Sequence, residues 1–496
     1  MSESWFCEQI ENLRIQESRL STLSEIRVRL SEIDGSRNEQ LDVLVINRLL
    51  SAPEMYDCLE DGHESYQLVT DILSSCMSHL SINQSNLPSL LRRALTHPQP
   101  RIQALVFNTI LKKLQRERRE NPNSDIPAEL VYHVLKGLRH ERPEVGVPAI
   151  GILSIVLKSR IAEESVKGSL LDMLSSSETI KCRAYELAVN LAKQSPYMLQ
   201  QSEFLLDRAL SELDNDDVLF QVNILEILVP LAEQNHGLLY LEERRVFEII
   251  SRCVENPDQN PLDHLLIPGI LKFFGKVASV QPEKMIIGYP RMIQCFFESF
   301  LAGDVSILPT SFDTFANLTQ SKKGKLLLDQ IYPALIKEIL EEITSYLKNL
   351  STDLKNRAFS TLEIVFSTDG VNDKEIEEML RKWFSYLSGA ENMQFLMDFC
   401  RNPFPDIKVA CLSFIKSVCL HRWGIVALKG TAGFVEYLLD RKIEFDKEAK
   451  YKKFELISLL ANSDVFDIQI KLQLRTYVNE GPYFRQSIMD IATEGN

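Results

Sequence analysis

The acidic run DNDD at 214–217 is the part of the sequence that most resembles a metal site, because clustered carboxylates are the ligands that calcium prefers. A calcium loop starting at 214 would need an oxygen ligand and a glycine at its fifth and sixth positions, and a glutamate at its twelfth. Those positions hold Val218, Leu219 and Leu225. We therefore interpret the run as a polar turn between two helices and predict no metal site.

The spacing of histidines and cysteines does not indicate metal or thiol chemistry either. No two of the eight histidines lie three or four residues apart, the spacing that would put two ligands on one helix face. The nine cysteines are odd in number and contain no Cys-x-x-Cys pair. This pattern is typical of reduced thiols, so we expect a cytoplasmic location, with the nucleus as a second compartment.

The common catalytic signatures are absent from the sequence. It contains no P-loop, no Gly-x-Gly-x-x-Gly fingerprint, no His-Glu-x-x-His and no Gly-x-Ser-x-Gly elbow. Nucleotide hydrolysis, zinc proteolysis and α/β-hydrolase chemistry are therefore not favoured. We predict a protein that is not an enzyme, with no catalytic residue and no cofactor.

Composition narrows the partners that the chain could bind. The 496 residues carry 55 Lys and Arg against 69 Asp and Glu, a net charge of −14, which argues against a nucleic-acid partner bound through a general basic field. The short basic runs at 116–119 and 322–325 are interpreted as charged helix ends or as local contacts for an acidic partner. The sequence has no apolar run of 18 residues and its first residues do not resemble a signal peptide, so no membrane partner is expected.

The elements that would position a functional residue are predicted from a recurring pattern of an apolar helix, a short polar turn and a second apolar helix. Examples are LLRRALTHPQPRIQALVFNTILKKL from 90 and LMDFCRNPFPDIKVACLSFIKSVCL from 396. The residues near the start of each second helix are spaced about as in HEAT and armadillo repeats. They are Ala104, Ala149, Ala184, Val222, Gly269, Ser311, Ala358, Ala410 and Lys453. We predict an all-α, curved, HEAT/armadillo-like helical-repeat solenoid.

Three segments are predicted along the chain. Residues 1–86 are expected to form amino-terminal capping helices, 87–463 the repeats, and 464–496 a carboxyl-terminal capping helix and tail. Stacking explains the pattern, because a single helix pair cannot bury two apolar stripes whereas neighbouring pairs can.

Polar residues recur on the second helices at spacings of three or four, which places them on one helix face. In a helical solenoid the second helix commonly lines the concave surface, so we predict that these residues form a partner-binding groove. The alternative, a merely solvated helix face, stays open for each residue taken singly. The predicted groove residues are Glu186, Asn190, Lys193, Asn223, Glu226, Asp313, Asn317, Gln320, Ser360, Glu363, Ser413 and Ser417.

Several long runs in the second half of the chain resemble a known family. They are DVLFQVNILEILVPLAEQNHGLLYL (217–241), LIPGILKFFG (266–275), PFPDIKVACL (403–412), GFVEYLLDRKIEFDKEAKYKKFELISLLANS (433–463) and LRTYVNEGPYF (474–484). In this order they resemble the 26S proteasome non-ATPase regulatory subunit 5 family. The resemblance covers about 210–485, and the first 200 residues share only the repeat pattern and the length.

The resemblance implies a non-catalytic chaperone for assembly of the proteasome regulatory particle. Such a protein grips the carboxyl-terminal domain of one ATPase subunit of the base and leaves before the proteasome is complete. We expect the groove to block premature docking of that subunit on the core particle by steric hindrance, and we expect the free protein to be a monomer.

The alternative is a transport or scaffold adaptor of the HEAT or armadillo type. Armadillo cargo receptors display tryptophans followed four residues later by asparagine. Here Trp383 is followed by Leu387 and Trp423 by Ala427, which counts against that alternative.

Overall fold

The computed structural model describes residues 2–35, 43–121, 124–215, 217–255, 263–368, 373–389 and 392–484. Within these ranges the regular secondary structure is helical throughout, with no strand. None of the helices in them is both long and apolar enough to span a bilayer. The chain divides into two compact units, Met1–Tyr240 and Leu241–Asn496.

The helices that begin in the first unit are α1 (Ser2–Asn12), α2 (Arg19–Gly35), α3 (Val43–Ser51), α4 (Pro53–Asp57), α5 (His63–His79), α6 (Leu87–Leu95), α7 (Pro100–Glu120), α8 (Ala128–Leu138), α9 (Pro143–Val156), α10 (Glu164–Met173), α11 (Glu178–Ala192), α12 (Pro196–Ser211), α13 (Val218–Ala232) and α14 (Asn235–Glu243).

The helices of the second unit are α15 (Val246–Glu255), α16 (Asp263–Val280), α17 (Pro282–Gly288), α18 (Pro290–Leu301), α19 (Leu308–Leu318), α20 (Lys322–Ile331), α21 (Pro333–Asn349), α22 (Thr352–Phe366), α23 (Lys374–Ser388), α24 (Met397–Cys400), α25 (Pro405–Val418), α26 (Arg422–Lys429), α27 (Phe434–Leu439), α28 (Lys447–Leu460) and α29 (Ile468–Glu480).

Each predicted second helix is present, and within each unit these helices pack on one another in chain order. In the first unit α7, α9, α11 and α13 follow one another; in the second, α16, α19, α22, α25 and α28 do. The apolar spacing is the cause, because it gives each second helix two buried sides, one for each neighbour. The predicted all-α, HEAT/armadillo-like repeat fold is confirmed within each unit.

The same order of packing continues into the amino-terminal segment, where α2 packs on α5 and α5 packs on α7. The predicted boundaries at 86 and 463 stay predictions. The last part of the predicted tail, from 485 onward, lies outside the described residues.

Polar turns start the second helices, as the sequence predicts. The side chain of Asp217, the last residue of the acidic run, accepts a hydrogen bond from the backbone N–H of Phe220 and so caps α13. The neighbouring Asp216 lies outside the described residues. Prolines open α7 and α25, where the missing N–H has no intrahelical partner to lose.

Hydrogen bonds between neighbouring second helices join residues that are about one repeat length apart in the sequence. The Thr314 hydroxyl on α19 donates to the carbonyl oxygen of Leu271 on α16 at 3.1 Å, a separation of 43 residues. The Thr361 hydroxyl on α22 donates in the same way to Phe312 on α19 at 3.2 Å, across 49 residues. Both contacts are buried, so each satisfies a donor that water cannot reach.

A third helix follows the second helix in repeats of the second unit, namely α17, α20, α23 and α26. Tight turns start α20 and α26 directly at the end of the preceding second helix. A Cβ on Gly324 would overlap the carbonyl oxygen of Leu318, and a Cβ on Gly424 would overlap that of Val418. Only glycine permits this close approach of backbone to backbone, so the third helix depends on it in these two repeats.

Candidate partner-binding surface

Ten of the twelve predicted groove residues lie within second helices, while Lys193 and Gln320 lie just past the ends of α11 and α19, and their exposure differs. Glu186, Asn223, Glu226, Asp313, Gln320, Ser360 and Glu363 are exposed, Asn190, Lys193 and Asn317 are half-buried, and Ser413 and Ser417 are buried. The polar surface therefore forms one patch on α11 and α13 in the first unit and another on α19 and α22 in the second.

In the first unit, α11 and α13 pack side by side and carry the two exposed glutamates, Glu186 and Glu226. Partial desolvation raises the pKa of the Glu186 carboxyl above its ordinary value, while the positive charges of Lys193 and Arg183 act in the opposite direction. Lys193 is one helix turn beyond Asn190 on the same face. The patch thus presents carboxylates, an amide and an ammonium group at the surface of the first unit.

In the second unit, part of the polar surface is paired within the protein. Asp313 on α19 forms an ion pair of 3.6 Å with Arg357 on the neighbouring α22. Lys416 on α25 likewise pairs with Glu455 on α28 at 3.0 Å. Arg357, Lys416 and Glu455 are not among the residues predicted from the sequence. The signal that could have found them is their placement one or two turns from predicted residues on the same or the next second helix.

The predictions for Ser413 and Ser417 are corrected by the structure. Their exposed fractions are only 8% and 5%, and the Ser417 hydroxyl donates to the carbonyl oxygen of Phe414 at 2.7 Å. The physical reason is close packing: α25 lies between α22 and α28, and small side chains on α25 let the helices approach. These two serines have almost no surface to offer a partner.

The basic run at 322–325 is bound internally. Lys322 pairs with Asp373 and Lys323 with Glu283, while the buried Lys325 donates to the carbonyl oxygen of Ser367. Carboxylates close to the amino terminus of α20 offset lysines that the helix dipole disfavours there. The interpretation of the run as a charged helix end accounts for all three side chains.

Metal ligands and reactive thiols were sought among the side chains of the described residues. No cluster of three or more histidine, cysteine or acidic side chains there could hold a metal ion. All nine cysteines are free. Cys400 and Cys411 come within 3.8 Å of each other, but burial raises the pKa of the Cys411 thiol well above its ordinary value, so it is not an activated nucleophile.

Comparison with known proteins gives one family over the whole chain. A family model described as "Proteasome non-ATPase 26S subunit" matches residues 2–496. A fruit-fly protein named 26S proteasome non-ATPase regulatory subunit 5 is 38% identical over 504 residues, covering 100% of this chain and 99% of its own. The chain belongs to this family.

More distant members of the 26S proteasome non-ATPase regulatory subunit 5 family align over most of their length. The bovine protein is 29% identical, covering 98% of this chain and 96% of its own, and the human protein is 28% identical, covering 83% of each. Among solved structures, a designed armadillo-repeat protein aligns with 50% of this chain and 98% of its own at 14% identity, with a TM-score of 0.33. The predicted resemblance is confirmed, and it extends through the first 200 residues, which the sequence runs quoted above did not cover.

Proposed function

We propose that this protein is a non-catalytic assembly chaperone of the 26S proteasome regulatory particle that acts in the cytoplasm or nucleus. Its client is the carboxyl-terminal domain of one ATPase subunit of the base. The observation that carries the proposal is the match of residues 2–496 to a family described as a non-ATPase subunit of the proteasome. The exposed polar patches on the second helices support it, because surfaces of this kind favour binding that can be reversed.

The proposed mechanism is steric. An interface of roughly 1,600 Å² is the usual size for a stable complex, and one of that size would cover much of a small ATPase domain. A covered domain cannot dock on the core particle until assembly partners displace the chaperone. No bond is made or broken, which agrees with relatives that are named as regulatory subunits.

The decisive experiment mixes the purified full chain with each isolated ATPase carboxyl-terminal domain and analyses the mixtures by size exclusion. We expect a stoichiometric complex with at least one domain, and we expect that domain to lose its binding to core particles when the chain is present. If every domain elutes separately from the chain, the proposed client is wrong. If a complex forms but still binds core particles, the steric mechanism is wrong.

The contribution of the polar patches is tested by reversing three charges together, in the variant Glu186→Lys, Glu226→Lys and Glu363→Lys. We expect weaker binding of the ATPase domain with little change in melting temperature, because exposed substitutions usually cost about 0.5 kcal/mol or less each. The control variant reverses Glu203, Glu298 and Glu338, which lie on the first helices α12, α18 and α21. Equal affinity of both variants and the unmodified protein would remove the three patch glutamates from the binding surface.

The alternative of a cargo adaptor is not favoured by the surroundings of Trp383. Its side chain is fully buried and its indole N–H donates to the carboxylate of Asp329 at 2.8 Å. A tryptophan used in this way packs the repeat and does not form part of an exposed binding ladder.

A further inference from the structure

The basic run at 116–119 differs from the run at 322–325, because its exposed side chains are not paired with carboxylates. Lys112, Arg116 and Arg119 follow one another at spacings of four and three, so they project from one face of α7. All three side chains are exposed, and none of them forms an ion pair or a hydrogen bond with another described residue. Their charges are therefore available to a partner.

The turn after α9 adds a fourth exposed cation, Lys158, at the same edge of the first unit. Gly151 on α9 faces Leu111 on α7, where a Cβ would approach the leucine side chain to 2.8 Å. Further along, Arg160 pairs with Asp125 at 2.7 Å and so ties the turn after α9 to the segment after α7. The carboxyl ends of α7 and α9 thus lie side by side. Their exposed cations form a basic surface, defined as Lys112, Arg116, Arg119 and Lys158.

The positive charge at this edge remains when every nearby carboxylate is counted. The basic surface is joined by three further cations, Lys113, Arg118 and Arg160. Against these seven stand three carboxylates, so the net charge is +4; they are Glu117, Glu120 and Asp125. A helix dipole places about half a negative charge at a carboxyl end, so two helix ends offset about one of the four positive charges.

The neighbouring structure does not cancel the rest. Lys113 and Arg118 donate to the neutral carbonyl oxygens of Leu80 and Ser124. The last turn of α5, which precedes Leu80, contains no carboxylate. The segment 87–160 carries 13 Lys and Arg against six Asp and Glu, a net charge of +7, in a chain whose total is −14. This local excess attracts an acidic partner that the remainder of the chain would repel.

The chemistry of the surface favours an acidic peptide over a nucleic acid. Single-stranded nucleic acids bind on aromatic side chains that stack with the bases, and no exposed aromatic side chain lies on α5, α7 or α9. A duplex needs a long basic field, whereas Lys112 and Arg119 are only about 10 Å apart along the helix. Two exposed amides, Asn108 and Gln115, share this face of α7 and can donate to and accept from a peptide backbone.

We propose that the basic surface binds an acidic segment of a partner protein, whose aspartate and glutamate carboxylates contact Lys112, Arg116, Arg119 and Lys158. Each arginine can hold a carboxylate through two parallel N–H···O bonds, and this geometry fixes the position of the segment along α7. The site goes beyond the proposed function. It lies on α7 and α9, outside the polar patches on α11, α13, α19 and α22, and it does not depend on the identity of their client.

The test uses the full-length protein and fluorescence anisotropy with a labelled, amidated peptide, Gly-Asp-Glu-Asp-Glu-Gly. We expect binding that weakens as salt is raised, and much weaker binding of the matched peptide Gly-Asn-Gln-Asn-Gln-Gly. The triple variant Lys112→Gln, Arg116→Gln and Arg119→Gln should weaken binding by about tenfold, because it removes three exposed ion pairs. Glutamine is a good helix former, so the melting temperature should stay close to that of the parent.

Two further variants separate the surface from net charge. The control Lys348→Gln, Lys442→Gln and Lys447→Gln makes the same change in net charge at exposed positions of the second unit and should bind like the parent. The double variant Arg116→Lys and Arg119→Lys keeps the charge and should retain most of the binding. The single glutamine variants should each show a smaller loss, so the test does not depend on the folding of the triple variant.

Three results would overturn the proposal. They are equal binding of the acidic and the neutral peptide, unchanged affinity in all glutamine variants of α7, and equal losses in the α7 triple variant and its control. Equal or tighter binding of an oligothymidine with four phosphates would also overturn it, because the surface would then recognise nucleic acid. ATPase-domain binding is measured separately, and these variants keep Glu186, Glu226 and Glu363. Failure here therefore leaves the proposed function untouched, and the reverse also holds.

Discussion

Lys453 on α28 is the side chain whose charge state should control stability most visibly. It is 1% exposed, its ammonium group donates to the carbonyl oxygen of Asp440 at 2.6 Å, and it lies over the ring of Tyr437. Glu444 is buried beside it and pairs with Lys408 at 2.7 Å. Burial lowers the pKa of Lys453 to about 8, although the nearby carboxylates Glu444 and Asp440 act in the opposite direction.

The sign of the pH effect follows from this lowered pKa. The lysine has an ordinary pKa of 10.5 in the unfolded chain and about 8 in the folded protein. Between these values the unfolded state binds more protons, so the free energy of unfolding rises with pH by up to about 1.4 kcal/mol per pH unit. From pH 7 to 9.5 the gain due to Lys453 amounts to about 2 kcal/mol, and it approaches about 3 kcal/mol above pH 10.5.

The variant Lys453→Met should lack this gain, whatever its stability at pH 7. The assay is urea unfolding at several values between pH 7 and 9.5, followed by tryptophan fluorescence. A Trp5→Phe background leaves Trp383 and Trp423, both in the second unit, as reporters. Lys447→Met, at an exposed position on the same helix, is the control and should follow the parent protein. Parallel stability curves for the parent and Lys453→Met would refute the reasoning.

Two further predictions concern contacts between helices. Thr314→Val removes the buried hydrogen bond to Leu271 and should lower the free energy of unfolding, measured by urea unfolding, by about 1–2 kcal/mol. Thr314→Ser keeps the hydroxyl and should recover most of the loss. Equal loss in both variants would contradict this account. Gly424→Ala forces a Cβ onto the carbonyl oxygen of Val418 and should lower the melting temperature clearly. Gly430→Ala is the control and should change the melting temperature little, because the carbonyl oxygen nearest to the added Cβ is 3.4 Å away. Equal melting temperatures of the two variants would contradict the close approach at Gly424.

The stacked second helices could be predicted because their cause is local. Apolar residues at spacings of three and four mark both buried sides of each helix, and the nine residues from Ala104 to Lys453 that the repeat pattern places near the starts of second helices all lie in helices. The turns could be predicted as well, because an aspartate directly before an apolar helical run is a common N-cap. Asp217 caps α13 in this way.

The third helices and the fine pattern of exposure could not be predicted in this way. A turn that returns the chain against its own second helix depends on Gly324 and Gly424, and a single glycine has no unique meaning in a sequence. Ser360 and Ser413 are the same residue type on neighbouring second helices, α22 and α25, yet Ser360 is exposed and Ser413 is buried. The difference arises from how closely the neighbouring helices approach.

The amino-acid sequence by itself therefore determined the all-α repeat, the positions of the second helices and the family. The tertiary structure decided which polar residues reach the surface, that Arg357 pairs with Asp313, and that the buried Trp383 indole donates to Asp329. The physical reason is that helix formation follows from residues within a few turns, whereas burial and pairing depend on groups separated by a whole repeat in the sequence.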